Sequence, residues 1–194
     1  MIPKNTARVV MFLLRNTDKF GYNINQIAKL NKISVGSAFK ILKELEKDRL
    51  IIKNEISNAS HYKLNFDNPE TTKLCEFLLL AEKRSLKGYA KLYADELIKF
   101  KDAEMMVIFG SVLRGKEFND VDVLFITNKV KKVNDFCLEI SKVKTKPVIP
   151  LIMKQEDLIK ALKRKKEAII NMIKGGIVLK GEARFLEVVK NVNS

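Results

Sequence analysis

Residues 109–124 limit the possible folds of this chain more than any other part of the sequence. An apolar run over residues 105–109 leads through a Gly-Ser pair and a polar loop to a second apolar run, which opens with Asp-Val-Asp at 120–122. Short apolar runs without helical spacing are typical of strands buried on both faces. The segment therefore predicts two neighbouring core strands whose connection carries polar groups.

Asp120 and Asp122 are predicted to project from one face of the second strand, because successive side chains of a strand alternate between its faces. Val121 and Val123 then point into the core. Two adjacent carboxylates repel each other unless a cation lies between them. Mg²⁺ is usually held by one or two carboxylates together with the phosphate oxygens of a substrate. The pair therefore predicts an Mg²⁺ site.

The corner before the loop is suited to an anion. Gly110 allows the backbone to approach a phosphate group closely, and the Ser111 hydroxyl can bond to a phosphate oxygen. Together these features resemble the nucleotidyltransferase superfamily of DNA polymerase β. The pattern Gly-Ser-x-x-Arg-Gly over residues 110–115 resembles the minimal nucleotidyltransferases, which include kanamycin nucleotidyltransferase-like enzymes and antitoxins that pair with HEPN proteins. This resemblance covers residues 101–181.

The resemblance implies Mg²⁺-dependent transfer of a nucleoside monophosphate from a nucleoside triphosphate to a hydroxyl or phosphate of an acceptor, which is a protein or an RNA. Asp120 and Asp122 would be the catalytic residues and would bind two metal ions. The roles of the nucleotide-binding residues also follow from the family: the triphosphate would be held by Gly110 and Ser111, and its charge neutralised by Arg114 or Lys116.

The sequence departs from this family at the third strand, residues 148–153, which carries no carboxylate where relatives usually have one. Glu156 and Asp157 follow it, at a position where acidic residues typically stabilise a helix start. Three functions therefore remain open. The chain is a transferase, or a transcriptional regulator whose degenerate domain senses nucleotide or dimerises, or an antitoxin-like partner of a HEPN toxin, the last by family analogy alone.

Residues 1–66 predict a different unit. Helical spacing of apolar residues over 7–15 and 23–30 is followed by a third helix that begins after Ser34, a good N-cap residue. Two short strands, 50–53 and 61–64, flank a polar turn. Three helices and a hairpin form the layout of a winged helix-turn-helix.

The stretch 37–51 resembles the third helix and first wing strand of winged-helix regulators of the MarR and ArsR kind. Arg49 stands where those proteins usually have glycine, which suits a left-handed residue after a helix. We expect Val35 and Phe39 on the buried face of this helix. The solvent face would contact DNA bases and phosphates, and the predicted DNA-binding residues, including two on the wing, are Ser34, Ser37, Lys40, Lys43, Lys53 and Lys63. Protein docking is the alternative use of such a module.

The expected fold class is α+β, with a winged helix over 1–66, a connector over 67–100 and a nucleotidyltransferase-like domain with a small mixed sheet over 101–194. The connector is one long helix or two helices joined at Gly88. A connector of this kind is compatible with a homodimer. The formal net charge of +14 favours a polyanionic partner such as nucleic acid or a nucleotide. Since no apolar run is long enough for a membrane span and no signal sequence is evident, we expect a cytoplasmic protein with no membrane partner. We also expect its two cysteines to be buried free thiols.

Overall fold

The computed structural model describes residues 2–16, 21–56, 58–115 and 117–193. The chain mixes helices and strands, which confirms the α+β class. It divides into two compact units, Met1–Leu78 with Val189–Ser194 and Leu79–Val188. Each unit has its own sheet.

Within the described residues of the first unit, the part of the chain up to Leu64 forms three helices and a small antiparallel sheet. The sheet has the order β1-β3-β2. In chain order the elements are α1 (Lys4–Arg15), β1 (Tyr22–Asn23), α2 (Ile24–Asn31), α3 (Val35–Lys47), β2 (Ile51–Ile56) and β3 (Ala59–Leu64).

Side-chain caps define the starts of two of these helices. Asn23 and Gln26 form a reciprocal capping box at the start of α2. At the start of α3, the Ser34 hydroxyl accepts a hydrogen bond from the backbone N–H of Ser37 at 3.1 Å. The N-cap predicted from the sequence is therefore confirmed.

The hairpin is longer than the sequence predicts. Strand pairing continues as far as Ile56 and Ala59, through the segment expected to be a polar turn. Polar residues are compatible with these positions because one face of an antiparallel sheet can remain in contact with water. Before the hairpin, Arg49 adopts the left-handed conformation with φ 56°. Its carbonyl oxygen accepts hydrogen bonds from the side-chain amides of Asn65 and Asn68, at 2.8 and 3.2 Å.

The connector forms two helices, α4 (Pro69–Arg84) and α5 (Gly88–Leu97). At the first of them, the Asn68 side chain accepts a hydrogen bond from the backbone N–H of Glu70 at 2.9 Å, and Pro69 occupies the first helical position as predicted. Gly88 has φ 56°. A right-handed helix cannot continue through a positive φ, so a single long helix does not form.

The second unit is built on a mixed sheet with the order β6-β5-β4-β7. Strands β5 and β6 are parallel, and β4 runs antiparallel to both of its neighbours. In chain order, the elements after α5 are β4 (Met105–Phe109), a 3₁₀ turn (Ser111–Arg114), β5 (Val121–Ile126), α6 (Val130–Val143), β6 (Val148–Met153), α7 (Gln155–Lys163), α8 (Glu167–Gly175), β7 (Ile177–Lys180) and α9 (Glu182–Asn193). The three strands predicted before α7 are observed at the expected residues.

The two faces of this sheet have different roles. Val121, Val123 and Phe125 of β5 are fully buried against α5 and α6, and for Val121 and Val123 this confirms the prediction. Asp122 therefore lies on the opposite face, because side chains alternate along a strand. The core on the α6 side fixes the orientation of β5 and thereby directs the Asp122 carboxylate away from α5 and α6.

Both cysteines are buried free thiols, as the sequence predicts. Burial raises the pKa of the Cys75 and Cys137 thiols to about 12. Among the helices in the described ranges, none has the length and apolar content needed to cross a bilayer.

Candidate functional site

Gly110 lies directly beside the carboxylate of Asp122. The antiparallel register pairs Phe109, the last residue of β4, with Asp122 of β5, so that the next residue turns past the aspartate. Gly110 has φ 86° and ψ −154°, a conformation accessible almost only to glycine. A β-carbon at this position would overlap with Oδ2 of Asp122. The glycine-serine corner and one of the predicted metal ligands are therefore in direct proximity.

The two aspartates are close enough for their charges to interact. Asp122 lies in β5, Asp120 immediately precedes the strand, and both side chains are half-buried. Burial raises the pKa of Asp122 above its ordinary value of 3.8, and the negative charge of Asp120 raises it further. A bound cation would relieve this repulsion.

The remaining predicted nucleotide-binding residues follow Gly110 along the chain. Ser111 opens the 3₁₀ turn and is half-buried, and Arg114 closes it and is exposed. Lys116, which is also predicted to contact the triphosphate, lies outside the described residues. A cavity of about 360 Å³ adjoins this turn, and six of the residues that line it are Phe109, Gly110, Leu113, Arg114, Asn171 and Met172.

The strand beside Asp122 carries no acid. In the parallel register of β5 and β6, Ile149 is paired with Asp122, and 47% of its surface is exposed. Paired residues of neighbouring strands project from the same face, so Ile149 stands where a third carboxylate would be adjacent to the aspartates. Glu156 and Asp157 lie in the first turn of α7, as predicted.

The donor set fits one Mg²⁺ ion. Within the described part of the chain, no group of three or more His, Cys, Asp or Glu side chains is arranged to hold a metal. Two carboxylates are sufficient when substrate phosphates complete the coordination of Mg²⁺. Asp120 and Asp122 supply that number, and their mutual repulsion favours a cation between them.

The exposed face of α3 is basic. Ser34, Lys40 and Lys43 are exposed and Ser37 is half-buried, so the predicted contacts of this helix are accessible. Lys47 lies on the same face, one helical turn beyond Lys43, and is also exposed. The face opposite the core therefore presents three lysines along its length.

Two apolar residues of α3 are not on the predicted face. Val35 and Phe39 are expected from the sequence to be buried, but 48% and 54% of their surfaces are exposed. The buried stripe consists of Ala38, Ile41, Leu42 and Leu45. Each residue step rotates about 100° around a helix, so Phe39 stands well to one side of this stripe and close to Lys43. The predicted burial of Val35 and Phe39 was wrong because α3 has apolar residues on two stripes, and only one of them faces the core.

The wing does not bring its two predicted lysines together. Lys53 is paired with Tyr62 across the hairpin, whereas Lys63 is paired with Ile52. Adjacent positions of a strand face opposite sides, so the two ammonium groups project from different faces. Lys53 also forms an ion pair with Glu55 at 2.9 Å, which raises the pKa of Lys53.

Comparisons of the chain with protein-family models, with curated proteins and with solved structures found no match. The functional interpretation therefore depends on the arrangement of the residues described above and on the resemblance of the sequence motifs.

Proposed function

We propose that this chain is a DNA-binding protein that binds a nucleoside triphosphate with Mg²⁺ and transfers the nucleoside monophosphate to an acceptor. The observation that carries the proposal is the proximity of Gly110 to the Asp122 carboxylate, together with the effect of the Asp120 charge on that carboxylate. A phosphate-accepting corner next to a pair of repelling carboxylates is suited to a triphosphate and its cation.

Each residue has a distinct role in this proposal. Asp120 and Asp122 hold the cation, and Gly110 leaves room for a phosphate because it has no side chain. Ser111 donates a hydrogen bond to a phosphate oxygen, and the exposed Arg114 balances the charge of the triphosphate tail. When bound, Mg²⁺ would act as a Lewis acid that polarises a phosphoryl oxygen. The proposed architecture of the second unit is a nucleotidyltransferase fold built on its mixed sheet.

The proposed role of the first unit is DNA binding by a winged helix-turn-helix. Three helices followed by a hairpin support this architecture. The exposed lysines of α3 would contact phosphates or guanine acceptors. Ser37, in the first turn of α3, would contact base edges. Lys63 would be the wing residue that contacts the backbone, since Lys53 is engaged with Glu55.

A second candidate function is a nucleotide-responsive regulator without transferase activity. The observation that favours it is Ile149, which occupies the position beside Asp122 on β6. Without a third carboxylate, general-base assistance to the acceptor is missing, and such assistance is worth about 10²–10⁴ in rate. The nucleotide would then bind and alter DNA affinity without being consumed.

Label transfer distinguishes the two functions. Purified protein is incubated with Mg²⁺, α-labelled triphosphates and candidate protein or RNA acceptors. The transferase proposal expects labelled product from the wild-type protein and none from the double variant D120A/D122A, whose DNA binding should be retained as the control for folding. Labelling that persists in the double variant would refute the transferase. Triphosphate binding that changes the affinity for DNA, without any label transfer, would favour the regulator.

A further inference from the structure

A second cavity of the second unit lies at the start of α5. Its volume is about 990 Å³, within the range of small-molecule sites in proteins. The walls come from the first residues of α5, from the 3₁₀ turn after β4 and from the segment that leads into β5. Leu113 borders both this cavity and the smaller one that contains Arg114.

Three aromatic rings support one wall of this cavity. The Tyr89 and Phe118 rings are 5.4 Å apart at an angle of 66°, and the Phe118 and Tyr93 rings are 6.4 Å apart at 84°. Tyr93 is fully buried, and its hydroxyl donates to the Lys146 carbonyl at 2.7 Å and accepts from the Lys146 N–H at 2.9 Å. Tyr93 is therefore fixed, Phe118 packs edge-on between the tyrosines, and Tyr89 remains 56% exposed.

The rest of the lining combines apolar side chains with polar and charged ones, which include Lys87, Glu117 and Lys146. Leu86, Ala90 and Val112 are buried side chains of the wall. Asn119 and Thr145 are exposed at the rim, where an amide and a hydroxyl can donate and accept hydrogen bonds. A slot with an accessible aromatic ring, an apolar wall and polar groups at its edge suits a planar heteroaromatic ligand, because such rings stack on aromatic side chains whatever their identity.

This cavity adjoins the chain segment that leads into the candidate catalytic residues. Asn119 lines the cavity and directly precedes Asp120 in the chain. We propose that the cavity binds a nucleobase whose ring stacks on Tyr89. The inference rests on the proposed function and deepens it, since it assigns the part of the site that distinguishes a nucleotide from a bare triphosphate. The base belongs either to the triphosphate or to a nucleic-acid acceptor, because both present the same ring.

Calorimetric titrations with Mg²⁺ and each of ATP, GTP, CTP and UTP test the triphosphate as the source. For at least one of them, Y89A should weaken binding by about tenfold or more, the loss expected for one stacked base. The affinity for Mg²⁺-tripolyphosphate, which has no base, should be unchanged. Y89F should bind like the wild type. F77A is the matched control, because Phe77 is 54% exposed and lies outside the cavity.

A second arm tests the acceptor as the source. If Y89A leaves all four triphosphates unaffected but weakens binding of a mixed-sequence oligoribonucleotide by a similar factor, the stacked base is that of the acceptor. Equal affinities of Y89A and the wild type for every triphosphate and for the oligonucleotide would overturn the nucleobase site. Failure of the proposed function has a different signature, since tripolyphosphate binding would then be independent of Asp120 and Asp122.

Discussion

The backbone of Gly110 and the carboxylate of Asp122 are in contact at the end of β4, with no room for a side chain between them. This contact joins the two halves of the sequence motif, the glycine-serine corner and the aspartate pair. The antiparallel pairing of β4 with β5 creates it, because the residue after Phe109 must pass the Asp122 side chain.

We expect Gly110→Ala to lower the free energy of unfolding and to displace the Asp122 carboxylate. The backbone strain of an L-residue in this conformation costs about 1–3 kcal/mol, and the overlap with Oδ2 adds to it. Gly115→Ala is the control, because Gly115 has the milder left-handed conformation, with φ 64° and ψ 13°, and a β-carbon there would meet no described atom within 4 Å. Urea denaturation measures both variants. Equal losses for G110A and G115A would contradict the close contact.

The raised pKa of Asp122 predicts a pH-dependent gain in stability for Asp122→Asn. Folding favours the protonated form of this aspartate, so the ionised form destabilises the wild type as pH rises from 3.8 through the raised pKa of the folded protein. The stability of D122N relative to the wild type should therefore increase as pH rises from about 4 through the raised pKa of Asp122, and level off above that pKa. Urea denaturation across this interval, without Mg²⁺, measures the difference.

Asp102→Asn is the control of opposite sign. Asp102 forms an ion pair with Lys132 at 2.7 Å, which lowers the pKa of Asp102. Its contribution is present above the ordinary aspartate pKa and is lost as pH falls. D102N should thus lose stability relative to the wild type as pH rises towards 3.8, so urea denaturation of this control is extended below pH 3.8. If D122N and D102N showed the same trend, Asp122 would not be destabilised by its burial and by Asp120.

Ile149→Asp should strengthen Mg²⁺ binding, because it adds a carboxylate on the same face as Asp122. We expect an increase of about tenfold or more in Mg²⁺ affinity, since charge pairs near a protein surface interact with energies on the order of several kcal/mol. Ile149 is about half exposed and is not a buried core residue, so the substitution should not disturb the core. Ile149→Asn supplies the same size without the charge. Identical Mg²⁺ affinities for the two variants would show that position 149 does not face the aspartates.

Alanine substitutions on the exposed face of α3 should weaken DNA binding through lost phosphate contacts. Each lysine that contacts a phosphate contributes about 0.9 to the slope of log affinity against log salt concentration. We expect K40A, K43A and K47A each to reduce that slope by about this amount or less. Lys73→Ala, a change at an exposed lysine that is paired with Glu76 on α4, is the control. Unchanged slopes for all three α3 variants would favour protein docking over DNA binding.

The sequence predicted the parts of the fold that depend on local pattern. The strands over 105–109, 121–126 and 148–153 are short, predominantly apolar runs, and each is observed at those residues. Ser34 and Pro69 mark helix starts because their roles depend on chemistry within one helical turn. Such signals need no knowledge of distant contacts.

Features that depend on packing or on pairing partners were less accessible. Phe39 was expected on the buried face because its spacing fits one apolar stripe, whereas the core selects the stripe that contains Ile41. The two strands of the hairpin remain paired as far as Ile56, but the polar residues of this segment are typical of a turn, so its length could not be predicted. No sequence motif indicates the cavity beside Tyr89, since its walls come from segments that are far apart in the chain.

Binding of an Mg²⁺–triphosphate complex tests the candidate site most directly. Isothermal titration of the full chain with ATP, GTP, CTP and UTP, with and without Mg²⁺, should show Mg²⁺-dependent binding that is lost in D120N and in D122N, while D102N binds like the wild type. Absence of Mg²⁺-dependent binding to the wild type, or binding by D120N and D122N as tight as that of the wild type, would contradict a triphosphate site at these aspartates.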